Sequence, residues 1–237
     1  MGQSFFIWKN RDCRAMGVRL SGPVPIVRPE ERVRHVQIPG VEGDLTQLEG
    51  ENIFNSYIQT ASILVPGGYR VREIYNWLKG ADFVTFSGEP DRKQPARIIG
   101  AITLNKHSHN LDWWTGEVQF YCQPLKQLIQ EKVTEVTASG TAVRNIGDVT
   151  EKPVIKVTPS GSTAVISAGG KTITVTGLTS GTAIWIDCQI MDVFNSDKSA
   201  SLLNNASGEF PQLNIGTNTV TGSGWSKLEI YRRERFL

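Results

Sequence analysis

Along most of the chain apolar and polar residues alternate with a period of two, the spacing of half-buried strands. In the first part the alternation predicts strands over residues 5–8, 16–20, 33–38, 57–65, 83–86, 96–104 and 116–121. Turn chemistry separates most of them, as in Pro39-Gly40-Val41-Glu42-Gly43-Asp44. One stretch has a different period. Over residues 69–79, Val71, Ile74, Tyr75 and Leu78 fall at i, i+3, i+4 and i+7 and so share one helical face, and Gly80 supplies a stop. This is the only substantial helix the pattern predicts.

Around residues 134–150 charge thins out and Ser, Thr, Gly and Val take over. The shift predicts a first domain over residues 1–137 and a second, with its linker, over residues 138–237. In the second part the runs 163–168 and 171–176 are joined by Gly169-Gly170. Glycine tolerates the positive φ of a type I′ turn, so the two runs form a tight hairpin. Further strands over 183–190 and 228–232 give the spacing of a β-sandwich, and the fold class is mainly β. Residues 208–220, GEFPQLNIGTNTV, begin with the extended step Phe210-Pro211-Gln212-Leu213, where proline removes a ladder donor. Ile215-Gly216-Thr217-Asn218 then predicts a turn before a strand starts at Thr219-Val220. Phe210 and Leu213 are expected in the core, Pro211 as a stop to pairing, and Gly216 and Asn218 as turn formers.

Composition narrows the function classes. At 237 residues with 39% hydrophobic content the chain can bury real cores. Its 25 Lys and Arg against 23 Asp and Glu leave a formal charge of +2, and the balance holds in both halves. A protein whose task is to grip phosphate backbones carries a basic surplus. Three widely spaced cysteines, Cys13, Cys122 and Cys188, suit free thiols in a reducing compartment. The amino terminus has no charged segment leading into a long apolar run, and Phe6 stands where myristoylation needs Ser or Thr. No apolar stretch approaches the roughly 20 residues of a membrane span. These features predict a soluble chain made in the cytosol.

No motif points to catalysis, a metal or a cofactor. Gly169-Gly170-Lys171-Thr172 resembles the end of a phosphate-binding loop, but Val165 occupies the place of its first glycine and a strand follows instead of a helix. His107 and His109 could share one face of a strand, yet the remaining histidine is His35 and no cysteine lies beside the pair. Ser160-Gly161-Ser162 sits between strands, unlike a nucleophile elbow. Trp113, Trp114, Trp185 and Trp225 could stack on sugar rings; packing at a sheet face or a subunit contact is the expectation here.

Several segments, in order, resemble the distal tail proteins of long-tailed bacteriophages. Residues 29–45, with Arg32, Pro39, Gly40 and Gly43, are similar to that family's "P-x-x-E-R … V-P-G-R-D-G" strand and turn, with Val41 and Glu42 where Arg and Asp are usual. Trp77-Leu78 resembles the end of its helix. Phe86-Ser87-Gly88-Glu89-Pro90-Asp91 looks like its "F-S-x-E-P-D", and residues 118–124, ending at Pro124, like its "V-x-F-x-C-x-P". Asn145-Ile146-Gly147 with Lys152-Pro153-Val154-Ile155 is similar to the entry to the second sandwich. Ile184-Trp185-Ile186-Asp187 followed by Phe210, Pro211, Leu213, Gly216 and Asn218 resembles "I-x-I-D" and "F-P-x-L-x-x-G-x-N".

The resemblance implies a non-enzymatic virion component. Such proteins form a homo-hexameric ring, or two stacked rings in isolation, that joins the tail tube protein to baseplate, fibre or tail-associated lysin proteins around a channel for DNA. It further implies an N-terminal ring-forming domain, a galectin-like C-terminal sandwich, location at the virion tail tip and assembly in the host cytoplasm, with no sequence-specific nucleic-acid binding and no membrane insertion. The alternative is a carbohydrate-binding module that assists attachment to the cell wall. Against it, no histidine occurs from residue 151 onward to complete a galectin-type sugar site.

Overall fold

The strand Trp113–Cys122 buries Val118, Phe120 and Cys122 on one face and exposes Glu117, Gln119 and Tyr121 on the other, as a two-residue period dictates. In the computed structural model, which describes residues 4–50, 52–67, 70–106 and 112–237, this strand is central to an antiparallel sheet. The sheet runs in the order Arg11–Asp12, Phe6–Trp8, Ala81–Phe86, Arg92–Ile99, Trp113–Cys122, Tyr57–Pro66, Arg19–Leu20. Its longest ladder runs from Trp113 opposite Pro66 to Cys122 opposite Tyr57.

The buried face of this sheet is covered by the helix Val71–Trp77, which brings Ile74 and Trp77 inward, with Leu78 behind them. Aromatic rings fill the gap. Phe6 stacks on Trp77 with centroids 5.6 Å apart, and Phe120 meets Phe6, Trp8 and Phe86 edge-on at 5.3 to 5.6 Å. Each such fully buried large side chain contributes about 1.5–3 kcal/mol of transfer free energy.

Three expectations are corrected here. Met16 is not in a strand: residues 12–17 turn back through Met16 N–H to Asp12 O and Gly17 N–H to Arg14 O, and the strand is only Arg19–Leu20. The run over 96–104 is not continuous either. It divides into Arg92–Ile99 and Leu104–Lys106, because Gly100 takes φ +71° and residues 100–103 bulge off the ladder. The helix is shorter than 69–79, closing where Leu78 N–H bonds Ile74 O and Gly80 reverses the chain at φ +78°. Tyr69 lies outside the described residues, as do His107 and His109.

The chain divides into two compact units, Met1–Ile129 with Leu237, and Gln130–Phe236. The second is a β-sandwich of two five-stranded antiparallel sheets. One sheet runs Lys132–Val136, Trp225–Arg232, Val154–Pro159, Ile184–Asp187, Asp192–Phe194; the other runs Thr141–Asn145, Gly216–Ser223, Thr163–Ala168, Lys171–Thr176, Ala206–Gly208. Ile155, Val157, Ile186, Leu228 and Ile230 from the first pack against Val143, Ile166, Ile173, Val175 and Val220 from the second. Gly169 and Gly170 carry φ +60° and +80°, the pair of positive values a type I′ turn needs. No helix is long and apolar enough to cross a membrane among the described residues.

Candidate assembly surface

One element of the first unit buries almost nothing. The strands Val33–Gln37 and Asp44–Leu48 pair only with each other, from Val33 opposite Leu48 to Gln37 opposite Asp44. Their tip is a type II-like turn in which Pro39 presets φ, Gly40 takes φ +82°, and Val41 N–H bonds Ile38 O at 3.2 Å. Gly43, at φ +83°, returns the chain to the second strand. At the base the ribbon continues through Arg32 N–H to Ile53 O and Asn55 N–H to Glu30 O, until Phe54 reaches the interior. Arg32 fastens this base, its Nε 3.2 Å from Asn55 Oδ1 and 4.0 Å from Glu49 Oε2.

Both faces of this hairpin carry apolar side chains. Val33 and Leu48 share one face, Val36 and Leu45 the other, and Ile38 and Val41 stand at the tip. Leu45, Leu48 and Val41 are 57%, 58% and 60% exposed. A two-stranded hairpin with no covered face is at best marginally stable in water. Exposed apolar groups on both sides therefore mark a surface meant for a partner.

A second apolar surface lies on the open face of the main sheet. Pairing sets Ile58, Tyr121, Arg97 and Ala81 in one row across four strands, with Pro95 and Phe83 in the next. Ile58, Tyr121 and Phe83 are exposed, and Lys93 Nζ lies 4.9 Å from the Phe83 ring centroid. Further along this face a cavity of about 580 Å³ opens over the 100–103 bulge. Its lining includes Ser21, Ser62, Thr103, Asn105 and Gln119, with Glu117 as its one charged group. A single carboxylate without an acid or base beside it has no proton-transfer partner.

In the second unit the densest polar cluster joins one end of the sandwich. Glu151 is fully buried and accepts from Arg232 Nε at 3.1 Å and from the Arg233 amide; Arg232 also donates to Glu234 and to the Arg144 carbonyl. Burial pushes the Glu151 carboxyl up from its ordinary value, against the pull of Arg232. Asp187 accepts two bonds of 3.1 Å from Arg233 and caps the next turn through Gln189 N–H. These charges cross-link segments. No group of three or more His, Cys, Asp or Glu suited to a metal occurs among the described residues.

The remaining predicted residues are placed as follows. Trp77 and Leu78 are buried at the end of the helix, and Pro124 is half-buried just past the strand Trp113–Cys122, after Gln123, whose carbonyl accepts from Gln94. Leu213 is buried and exchanges backbone bonds with Glu151, Phe210 packs partly buried against the core, and Pro211 lies buried outside any strand. The turn expected over 215–218 comes earlier: the strand already begins at Gly216, at φ +90°, and buried Asn218 reaches back from within it to Asn214. Trp225 is buried, its Nε1–H donating to Val165 O at 3.1 Å, whereas Trp185 is half-buried beneath Lys198, whose Nζ lies 3.7 Å from the ring centroid. Sequence reading missed the strand Asp44–Leu48 and the Glu151–Arg232 cluster. The charge-rich run Arg232-Arg233-Glu234-Arg235 was the one signal for the latter.

No family model and no curated protein matches this chain. Among solved structures it is similar to the crystal structure of the Dit protein (gp 19.1) of SPP1, described as a paradigm of the hub adsorption apparatus in phages that infect Gram-positive bacteria. The TM-score is 0.79 over 100% of both chains, at 19% sequence identity. The chain has the fold of a phage distal tail protein. Both units take part in that similarity, since the alignment leaves neither chain uncovered. Within a distal-tail fold the exposed hairpin and the open sheet face are the candidate site, because each combines exposure with a contiguous apolar pattern.

Proposed function

We propose that this protein is a structural component of a phage tail tip, a hexameric hub that joins the tail tube to baseplate or fibre proteins around a channel for DNA. The observation that carries this reading is the end-to-end similarity to the hub protein of SPP1, with no segment of either chain left over. The uncovered hairpin supports it: a surface that buries nothing in one chain suits a contact repeated between copies, and a heterologous contact that closes makes a ring. The near-neutral charge is compatible with a channel through which DNA slides, because a strongly basic lining would hold phosphates. Its place is the virion tail tip, after assembly in the host cytoplasm.

Size exclusion coupled to light scattering tests the reading. The expected particle has six times the 26.2 kDa chain mass, or twice that for two stacked rings, with a central opening in negative-stain images. A monomer at every concentration, alone and with tail tube protein added, contradicts it.

A further inference from the structure

The outer face of one sandwich sheet gathers aromatic side chains. Trp185 projects there from the strand Ile184–Asp187, Phe194 stands opposite it on the next strand, and the Tyr231 ring lies 5.3 Å from the Trp185 ring at a tilt of 45°. Trp185 Nε1–H donates to Ser196 O at 3.0 Å, a bond that fixes the indole by its edge and leaves its π-face available. On that face sits a cation. Lys198 Nζ lies 3.7 Å from the ring centroid, and among the described residues no carboxylate pairs with it. The backbone sets it there: Lys198 takes φ +61°, its N–H bonds Asn195 O at 3.1 Å, and Asn195 and Asp197 brace the turn through Ser199 and Ala200. A lysine in the left-handed region is uncommon and stores backbone strain. The other cation near the ring, Lys156 at 5.7 Å, is already paired with Glu229 Oε2 at 3.1 Å.

A π-face that holds one ammonium at 3.7 Å can hold another, and a methylated one better, because a primary ammonium gives up strong hydration on leaving water. We infer that Trp185, flanked by Tyr231 and Phe194, is a binding site for a quaternary ammonium group of the choline type, and that Lys198 is the occupant the ligand displaces. The site lies within the second unit and does not depend on the ring reading. Lys198 is exposed, so its ammonium can swing into water as the ligand takes the ring.

The test is titration calorimetry of the full chain with choline chloride at constant ionic strength. Lys198→Asn removes the ammonium and keeps a residue that tolerates the left-handed backbone. It should bind choline about threefold more tightly than the wild type, since a surface cation–π contact keeps the site closed in most molecules. Lys198→Arg keeps a cation on the ring and should bind no better than the wild type, and Trp185→Leu should not bind. An unchanged circular dichroism spectrum checks that each variant folds. The uncharged isostere of choline, with a tert-butyl group in place of trimethylammonium, should give no heat. Phosphatidylcholine vesicles that retain Lys198→Asn but not Trp185→Leu identify a lipid headgroup as the source; choline binding without vesicle binding identifies a soluble or polymer-borne choline. Equal choline binding by the wild type, Lys198→Asn and Lys198→Arg overturns the inference. So does no binding by Lys198→Asn, or equal binding of the uncharged isostere.

Discussion

The indoles of Trp8 and Trp77 exchange hydrogen bonds with each other's backbone: Trp8 Nε1–H donates to Trp77 O at 3.2 Å, and Trp77 Nε1–H donates to Trp8 O at 3.2 Å. This pair ties the end of the helix to an early strand across 69 residues of sequence, inside the aromatic cluster around Phe120. The Trp77 carbonyl lies in the last helical turn and accepts twice, from Lys79 N–H at 2.9 Å and from the Trp8 indole.

Trp77→Ala should therefore destabilise the first unit by about 3–5 kcal/mol, the cost of emptying a large aromatic site. Trp77→Phe keeps most of the ring stack but removes the indole donor to the Trp8 carbonyl, at about 0.5–1.5 kcal/mol. Urea denaturation followed by tryptophan fluorescence measures both, and equal losses in the two variants would show that packing counts for little.

Removing Arg232 leaves Glu151 and Glu234 buried without their shared cation, so Arg232→Met should cost about 3–5 kcal/mol. The pH dependence isolates Glu151. Its carboxyl is raised by burial, so the folded state holds the proton more tightly than the unfolded state does. Folding then gains stability as pH falls from neutral toward the ordinary value of 4.5, and the gain is complete below it. Measured against Glu151→Gln over that range, the stability difference should move in favour of the wild type. A shift in the other direction would show that the Arg232 charge outweighs burial.

Asn218 Oδ1 accepts from Asn214 N–H at 2.8 Å, and its Nδ2 donates to the carbonyls of Asn214 and Gly216. Asn218→Ala removes all three bonds from a buried site and should cost about 1–3 kcal/mol in chemical denaturation. Asn218→Asp retains the acceptor alone and should fall between.

Burial pushes the Cys122 and Cys188 thiols up to about 12, and raises that of Cys13. At mildly alkaline pH only about one in ten thousand of the Cys122 and Cys188 thiols is then ionised, and burial likewise holds Cys13 in the thiol form, so none attacks a disulfide reagent readily. The native protein should leave such a reagent unreacted, and all three thiols should titrate after denaturation. Fast reaction of the native protein would reveal an opening of the core.

The tryptophans separate the hub from a sugar-binding module. Trp225→Ala should lower stability by about 3–5 kcal/mol because its ring is core and its N–H is bonded. Calorimetric titration with bacterial wall polysaccharides should be flat for the wild type. Binding that vanishes with Trp185→Ala in a folded protein would establish the sugar site.

Much of the fold was legible in the order of residues. The period-two runs located the long strands, the i, i+3, i+4, i+7 spacing located the helix, and Gly169-Gly170 fixed a hairpin whose two positive φ values no other residue pair supplies as easily. Asp44–Leu48 escaped notice because every residue in it is exposed: it is a strand by virtue of its cross-strand partner, with no buried face to impose a pattern. The split of the run over 96–104 was hidden too, since a bulge depends on how many residues the neighbouring strand sets opposite it.

The candidate surface follows the same division. Turn residues such as Pro39 and Gly40 were readable, for a turn involves only its own backbone, whereas the row Ile58, Tyr121, Arg97, Ala81 draws each member from a different strand. By itself the sequence determined which segments could be strands, helix or turns, because side-chain period and backbone strain act over a few residues. Only the tertiary structure decided which strands became neighbours, which apolar groups stayed uncovered and which charges met, as Arg232 and Glu151 do across 81 residues. Those outcomes depend on register and burial, which exist only once distant segments have paired.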